Sequence, residues 1–441
     1  MNIKSLILGS ATAALAVSGA QAADAIVIAE PEPVEYVRVC DVYGAGYFYI
    51  PGTETCLRIS GWVRHQIGTN TIGGTQVQTG VDAAGVLIQQ TRTRQRDLGL
   101  NQTTGAQLNF DARSETEYGT LRGWVQLEGF ASNRNHGGSS AVAIRDANGD
   151  ITGYTVGTPK DIDIYINRAL IQLGGLYMGY ADSLFSSSSN IGGSGLGNYG
   201  GFTYADTFDY HYSQTHQIGY QFSGGNGFWG AIAIEHDGEN PRLNRYTPDV
   251  VGKVAYQQAW GGAWLAAAYD NWADGVGVRG GIQANFSPLT VRLDGYYRSN
   301  ANVQYGPSVN LTGPWRDGAS PSEGTRWGVQ ATALYQINPK LGVAAGLGYY
   351  DDLVARGDLV YDLAGGFGNL VGITDTATNQ FIGGHAWTAQ LGLNWQPVQN
   401  FQIGADVIYR KAEVKIADIN GNTAKGTADA TAFRLRFQRN F

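Results

Sequence analysis

Cysteine, proline and charge are all scarce in this chain. Two cysteines among 441 residues exclude a disulfide-rich scaffold and a four-thiolate zinc site. Twelve prolines without a Gly-X-Y period exclude collagen-like and proline-rich disordered chains. Charged residues supply 15 % where about 25 % is usual, so an ordinary soluble surface is not being built. Past the N-terminus no apolar run reaches the roughly 18 residues that a membrane-spanning helix needs, which excludes a helical membrane protein. Thirty basic against 37 acidic residues, a net charge of −7, give no broad footprint for nucleic acid.

Catalytic and metal-binding patterns are missing as well. His65, His136, His211, His216, His236 and His385 are scattered without metal-ligand spacing, and no metal or cofactor is expected. Gly225-Asn226-Gly227-Phe228-Trp229-Gly230 matches a dinucleotide glycine pattern by letters, but it opens a strand with no helix N-terminus to meet a pyrophosphate, and it reads as a turn. Asp146 to Asp150 begins like a calcium loop, yet Ile151 stands at the sharp-turn glycine and Gly157 at the bidentate glutamate. Around Ser194 the final glycine of a nucleophile elbow is lacking. The chain is not expected to be an enzyme.

What is present is glycine, 63 residues, and aromatics, 10 Trp, 25 Tyr and 15 Phe, far too many for disorder. Residues 1–22 read as a secretory signal: Lys4, an apolar stretch from Leu6 to Val17, and the small-residue site Ala20-Gln21-Ala22. Residues 23–55, with Glu30-Pro31-Glu32-Pro33, read as an exported, periplasmic N-terminal segment. Disulfides are allowed outside the cytoplasm. A bridge between Cys40 and Cys56 is the simplest reading, two separate thiols the alternative.

From residue 56 to 441 the period is two. Leu289, Val291, Leu293, Gly295 and Tyr297 share one face, and Thr290, Arg292, Asp294 and Tyr296 the other, which in a strand are opposite sides of a sheet. Such segments fall at 57–67, 106–115, 120–130, 162–173, 176–184, 215–222, 228–236, 249–257, 263–270, 277–286, 289–299, 326–337, 341–351, 385–396, 401–410 and 431–441. Tight links such as Gly174-Gly175 and Ser287-Pro288 alternate with long polar ones at 131–161, 185–214, 300–325, 352–384 and 411–430. Short turns on one rim and long loops on the other are the pattern of an outer-membrane barrel. The expected fold is therefore all-β, a 16-stranded antiparallel transmembrane β-barrel with short periplasmic turns and long extracellular loops, in contact with outer-membrane lipid and lipopolysaccharide.

Two aromatic girdles fit the same barrel. Tyr297, Trp327, Tyr349, Trp387, Tyr409 and Phe433 reach one rim outward, and Phe286, Tyr335, Trp395, Phe401 and Phe441 the other, with mostly Leu, Val, Ile, Ala and Gly between. About sixteen strands leave a water-filled lumen. On the inward face Arg434 and Arg436 of the last strand would lie beside Arg58 and Arg64 of the first, with Arg113 and Arg122 on the next two, as one basic wall. The connector from Phe185 to Gln214 follows the fifth strand. Folded inward, it would narrow the lumen, with Asp182, Asp206 and Asp209 as the acidic side of a transverse field.

Val37-Arg38-Val39-Cys40-Asp41-Val42-Tyr43-Gly44 and its continuation to Arg58, Ser114 to Leu121, Gly224 to Phe228, Tyr246 to Gly252 and the closing Arg436 to Phe441 closely resemble the general porins of alphaproteobacteria, of the Rhizobiales and Brucella type. The resemblance runs through the whole chain. It implies a homotrimeric outer-membrane barrel with an inward third loop. Phe433, Leu435, Phe437 and Phe441 are similar to the C-terminal insertion signal of barrel proteins, with Arg439 at one of its apolar positions. The expected function is passive diffusion of small hydrophilic solutes and ions across the outer membrane. The alternative is a barrel acting through its surface loops as adhesin, receptor or hydrolase.

Overall fold

The computed structural model describes residues 38–69, 74–81, 87–94, 100–132, 141–145, 151–156, 164–186, 214–236, 247–300, 303–306, 324–354, 358–362, 369–374, 380–417 and 422–441. The export signal, the Glu30 to Pro33 run, and Asp206 and Asp209 lie outside these residues. The chain divides into units Met1–Val39 and Cys40–Phe441, and the second unit holds the barrel.

Sixteen long strands make the wall. They are β1 (Cys56–Thr69), β2 (Leu100–Thr116), β3 (Gly119–Ser132), β4 (Ile164–Leu173), β5 (Leu176–Asp182), β6 (Gln214–Gly225), β7 (Phe228–His236) and β8 (Asp249–Gln258). They continue as β9 (Gly261–Asp270), β10 (Gly275–Phe286), β11 (Leu289–Arg298), β12 (Gly324–Asn338), β13 (Leu341–Val354), β14 (Gln380–Val398), β15 (Phe401–Ala417) and β16 (Thr423–Asn440). Each pairs antiparallel with its neighbours in chain order, and β16 returns to β1, from Trp62 opposite Asn440 to Thr69 opposite Phe433. Gly61 and Phe441 exchange both backbone hydrogen bonds at 3.0 Å at the foot of this seam. A sheet in hydrocarbon must close in this way, because lipid offers no partner to an edge amide.

Alternation sets which side chain meets which solvent. In β9, Trp264, Ala266 and Ala268 are buried inward while Leu265 and Tyr269 are exposed outward. Outward aromatics pair near one rim, Trp327 with Tyr349 at 5.7 Å and Trp387 with Tyr409 at 5.0 Å. Phe286, Tyr335, Trp395 and Phe441 stand exposed at the other. Turn chemistry fits the second rim: Asn226 and Gly227, with φ of 49° and 83°, form the two-residue link between β6 and β7. Two consecutive positive φ values mark the Asn-Gly hairpin turn, so the glycine run there is a turn.

Every strand expected from the alternation is present, but several run further. β14, β15 and β16 extend to meet in a ladder that pairs Ala412 with Ala428 and Ala417 with Thr423, where the sequence suggests a loop from 411. Ala412, Val414 and Ile416 alternate there with Lys411, Glu413 and Lys415, so in β15 the period of two runs past 410, while the facing stretch of β16 sets only Ala424, Gly426, Ala428 and Ala430 against Thr423, Lys425, Thr427 and Asp429. A backbone ladder needs no apolar side chain, so the pair persists where β16 lacks one. Three short hairpins, 74–81 with 87–94, 141–145 with 151–156 and 358–362 with 369–374, lie in stretches where the sequence predicts no strand.

Candidate permeation pathway

The arginines of β1 to β3 and β16 occupy two tiers. Near the short-turn rim, register places Arg58 opposite Asp111 and Arg113 opposite Arg122. Arg113 and Arg122 each grip the Asp111 carboxylate side-on, through Nε at 3.0 and 2.9 Å and Nη2 at 2.8 Å. Arg58 stands 3.9 Å from the same carboxylate. Arg64 lies six residues beyond Arg58 in β1, about 20 Å along the strand at about 3.3 Å per residue. There Arg64 Nε donates to Gln438 at 2.9 Å and Arg436 Nε to Gln66 at 2.7 Å. These two bonds join directly opposite residues across the closing seam. Arg434 is opposite Gly68 of β1 and Asp406 of β15, and Arg64 stacks over Trp62 at 3.9 Å.

The N-terminal segment is built into the lower tier. Cys40 and Cys56 are joined by a disulfide, and Phe48–Tyr49 pairs with Leu57 and Cys56 as a short added strand. This brings Tyr47, almost fully buried, to Asp111, to which its hydroxyl donates at 2.9 Å. Tyr43 donates to Glu115 at 2.8 Å. Partial burial, and then the adjoining Glu115 carboxylate, push the Tyr43 phenol up to about 12. Burial, reinforced by the bond to Asp111, likewise raises Tyr47.

Across the lumen the wall of β7 to β12 is densely packed. Asp182, the last residue of β5, pairs with Arg168 at 2.7 Å and is fully buried, so it is held in the wall by its own counterion. The four residues after it, Ser183 to Ser186, are all buried. Leu184 N–H donates to Glu235 at 2.9 Å, and Lys253 Nζ donates to the Ser186 carbonyl at 2.9 Å. Phe185 meets Tyr305 edge-on at 5.5 Å, and Tyr305 in turn donates to Asp249 at 2.9 Å. Glu235, Lys253 and Asp249 project inward from β7 and β8, so the root of the third connector is seated against the inner wall.

Likeness to known proteins agrees with this architecture. The sequence profile described as Porin subfamily matches residues 24–435. The chain belongs to that family. Porin Omp2a of Brucella ovis is 42 % identical over 318 residues, 69 % of this chain and 82 % of that protein. Porin Omp2b of Brucella suis is 36 % identical over 382 residues, 83 % of this chain and 90 % of that one. The crystal structure of the outer membrane channel DcaP of Acinetobacter baumannii shares the fold, with a TM-score of 0.51 at 15 % identity, over 89 % of this chain and 99 % of that one. This porin is a diffusion channel of the bacterial outer membrane.

Sequence reasoning overlooked several charged residues inside the porin's barrel. Arg279, fully buried, is bound to Asp294 at 2.9 Å. Arg168, Glu235 and Lys253 were not among the expected site residues. Each is a charge inside an apolar run or, like Glu235 after Ala231-Ile232-Ala233-Ile234, at its end, and that charge on the strand is the signal that could have found them.

Proposed function

We propose that passage through this porin is narrowed by the third connector and biased by charge, with Arg58, Arg64, Arg113, Arg122, Arg434 and Arg436 as its positive wall. The supporting observation is the seating of Ser183 to Ser186 on inward Glu235 and Lys253. A connector that starts against the inner wall is directed into the lumen, and Asp206 and Asp209 further along it supply the opposing negative charge. Small hydrophilic solutes and ions pass unaltered. Deleting Ser186 to Asn198 should raise single-channel conductance by roughly twofold or more, as a constriction in series with a wide lumen requires. An unchanged conductance in a folded barrel would remove the connector from the constriction.

The remaining roles belong to the same reading. Residues 1–22 serve as the export signal and 23–55 as a periplasmic segment. The outer face meets outer-membrane lipid and lipopolysaccharide, and Phe433, Leu435, Phe437 and Phe441 form the insertion signal. Arg439 fits that signal because it turns to the rim, where it donates to the carbonyls of Asn400 and Asn440 at 3.3 and 2.7 Å. The porin assembles as a homotrimer, as the resemblance to the general porins of alphaproteobacteria implies. A folded particle with the mass of three chains is expected, and a monomer at all concentrations would contradict it.

A further inference from the structure

The Asp111 carboxylate is saturated. Its Oδ1 accepts the Nε groups of Arg113 and Arg122, and its Oδ2 accepts their Nη2 groups and the Tyr47 hydroxyl. A carboxylate has about four lone-pair sites, so five donors leave nothing for Arg58. Arg58 accordingly stops at 3.9 Å, and its Nε makes no hydrogen bond. Three guanidinium charges therefore face one carboxylate. Glu115, a second carboxylate on this part of the inner face, is engaged by Tyr43 and Thr120, and counting it still leaves the group positive.

The surplus charge is reachable. The Arg58 side chain is 41 % exposed, and those of Arg113 and Arg122 are 26 % and 22 % exposed. Both of the latter spend Nε and Nη2 on Asp111, which leaves their Nη1 groups directed elsewhere. Tyr47, brought to the inner face by the N-terminal segment, fixes the arrangement: its ring lies 4.9 Å from Arg58 and 5.2 Å from Arg113, and its hydroxyl holds Asp111. The Cys40–Cys56 bridge anchors this tyrosine's segment to the first residue of β1.

We propose that Arg58, Arg113 and Arg122, clustered on Asp111, form an anion-binding station at the periplasmic mouth, separate from the constriction and taking solutes that carry carboxylate or phosphate groups. Tyr47 is its positioning residue. The proposal rests on the diffusion-channel reading and adds a site to it. Planar guanidinium groups with spare donors suit such oxyanions, which accept paired, charge-assisted hydrogen bonds.

The test is single-channel recording in chloride with inorganic phosphate titrated into one compartment at a time. A station near one mouth should make the block asymmetric, with half-blocking concentrations differing about tenfold between the two sides. Arg58→Gln should raise the lower value about tenfold and abolish the asymmetry. Tyr47→Phe, which keeps the ring and loses the bond to Asp111, should raise it by a smaller factor. Arg64→Gln, in the upper tier, should leave the asymmetry in place. Equal block from both sides, or an asymmetry that survives Arg58→Gln and disappears in Arg64→Gln, would overturn the station and place the anion at the constriction. No current in phosphate-free chloride would instead overturn the channel itself.

Discussion

Replacing Asp294 by alanine should destabilise the folded barrel by about 3–5 kcal/mol, the range for removing one partner of a buried ion pair. Asp294 accepts from Arg279 Nε at 3.2 Å and Nη2 at 2.9 Å, and from Gln330 at 2.8 Å. Arg279 is 0 % exposed and shares the Trp264 ring with Lys253, the two cations at 5.5 and 5.1 Å. Without Asp294 the buried Arg279 loses this ion-pair partner, beside a second basic group, in a poorly hydrated wall. The exposed pair of Lys425 and Glu413 is also short, at 2.7 Å, yet Lys425→Ala should cost only about 0.2–1 kcal/mol, because water screens it. Burial and not distance decides between them. Replacing Arg279 and Asp294 together by Met and Leu should recover much of the loss, since neither leaves a charge behind. Urea unfolding in detergent would measure all three, and an Asp294→Ala barrel as stable as the parent would show that the pair does not hold the wall.

The barrel was legible in the sequence wherever one strand face meets lipid and the other water. That condition gives Leu289 to Tyr297 its alternation, and it fails from Thr423 in β16, where only alanine and glycine alternate with Thr, Lys and Asp; Lys411 to Ala417 of β15 keeps the alternation through Ala412, Val414 and Ile416, beyond the strand end expected at 410. The inward arginines were legible for the same reason, because charge on the lipid face is expensive. Their partners were not. That Arg58 stands opposite Asp111, and Arg113 opposite Arg122, depends on register between strands, which residue spacing within one strand does not fix. The division of the arginines into two tiers follows from that register. Asp182 shows the same limit: the connector's sequence offers it as a lumenal acid, but its counterion Arg168 comes from the neighbouring strand. Tyr47 could not be assigned to the lumen at all, because only the disulfide and the short added strand carry it there.

The second large effect concerns ion preference. The upper tier presents Arg64, Arg434 and Arg436 beside Asp406 of β15 and Glu128 of β3, which accepts from Asn167, and the lower tier three arginines around Asp111, so the wall of β1 to β3, β15 and β16 carries an excess of positive charge. In a water-filled passage with low-dielectric walls such an excess concentrates counterions. Changing Arg64, Arg434 and Arg436 together to glutamine leaves the lower tier intact and turns the upper tier net negative. Ion preference should then move from anions toward cations, while the outward face and the strand ladder are untouched.

Reversal potential across a salt gradient, recorded from single channels of the purified porin and of the Arg64→Gln, Arg434→Gln, Arg436→Gln variant, tests the arginine-walled channel most directly. Steady ohmic steps are expected from both, with a sign favouring anions in the parent and a shift toward cations in the variant. A silent membrane from folded, inserted protein, or a parent that prefers cations and a variant that leaves its potential unmoved, would contradict it.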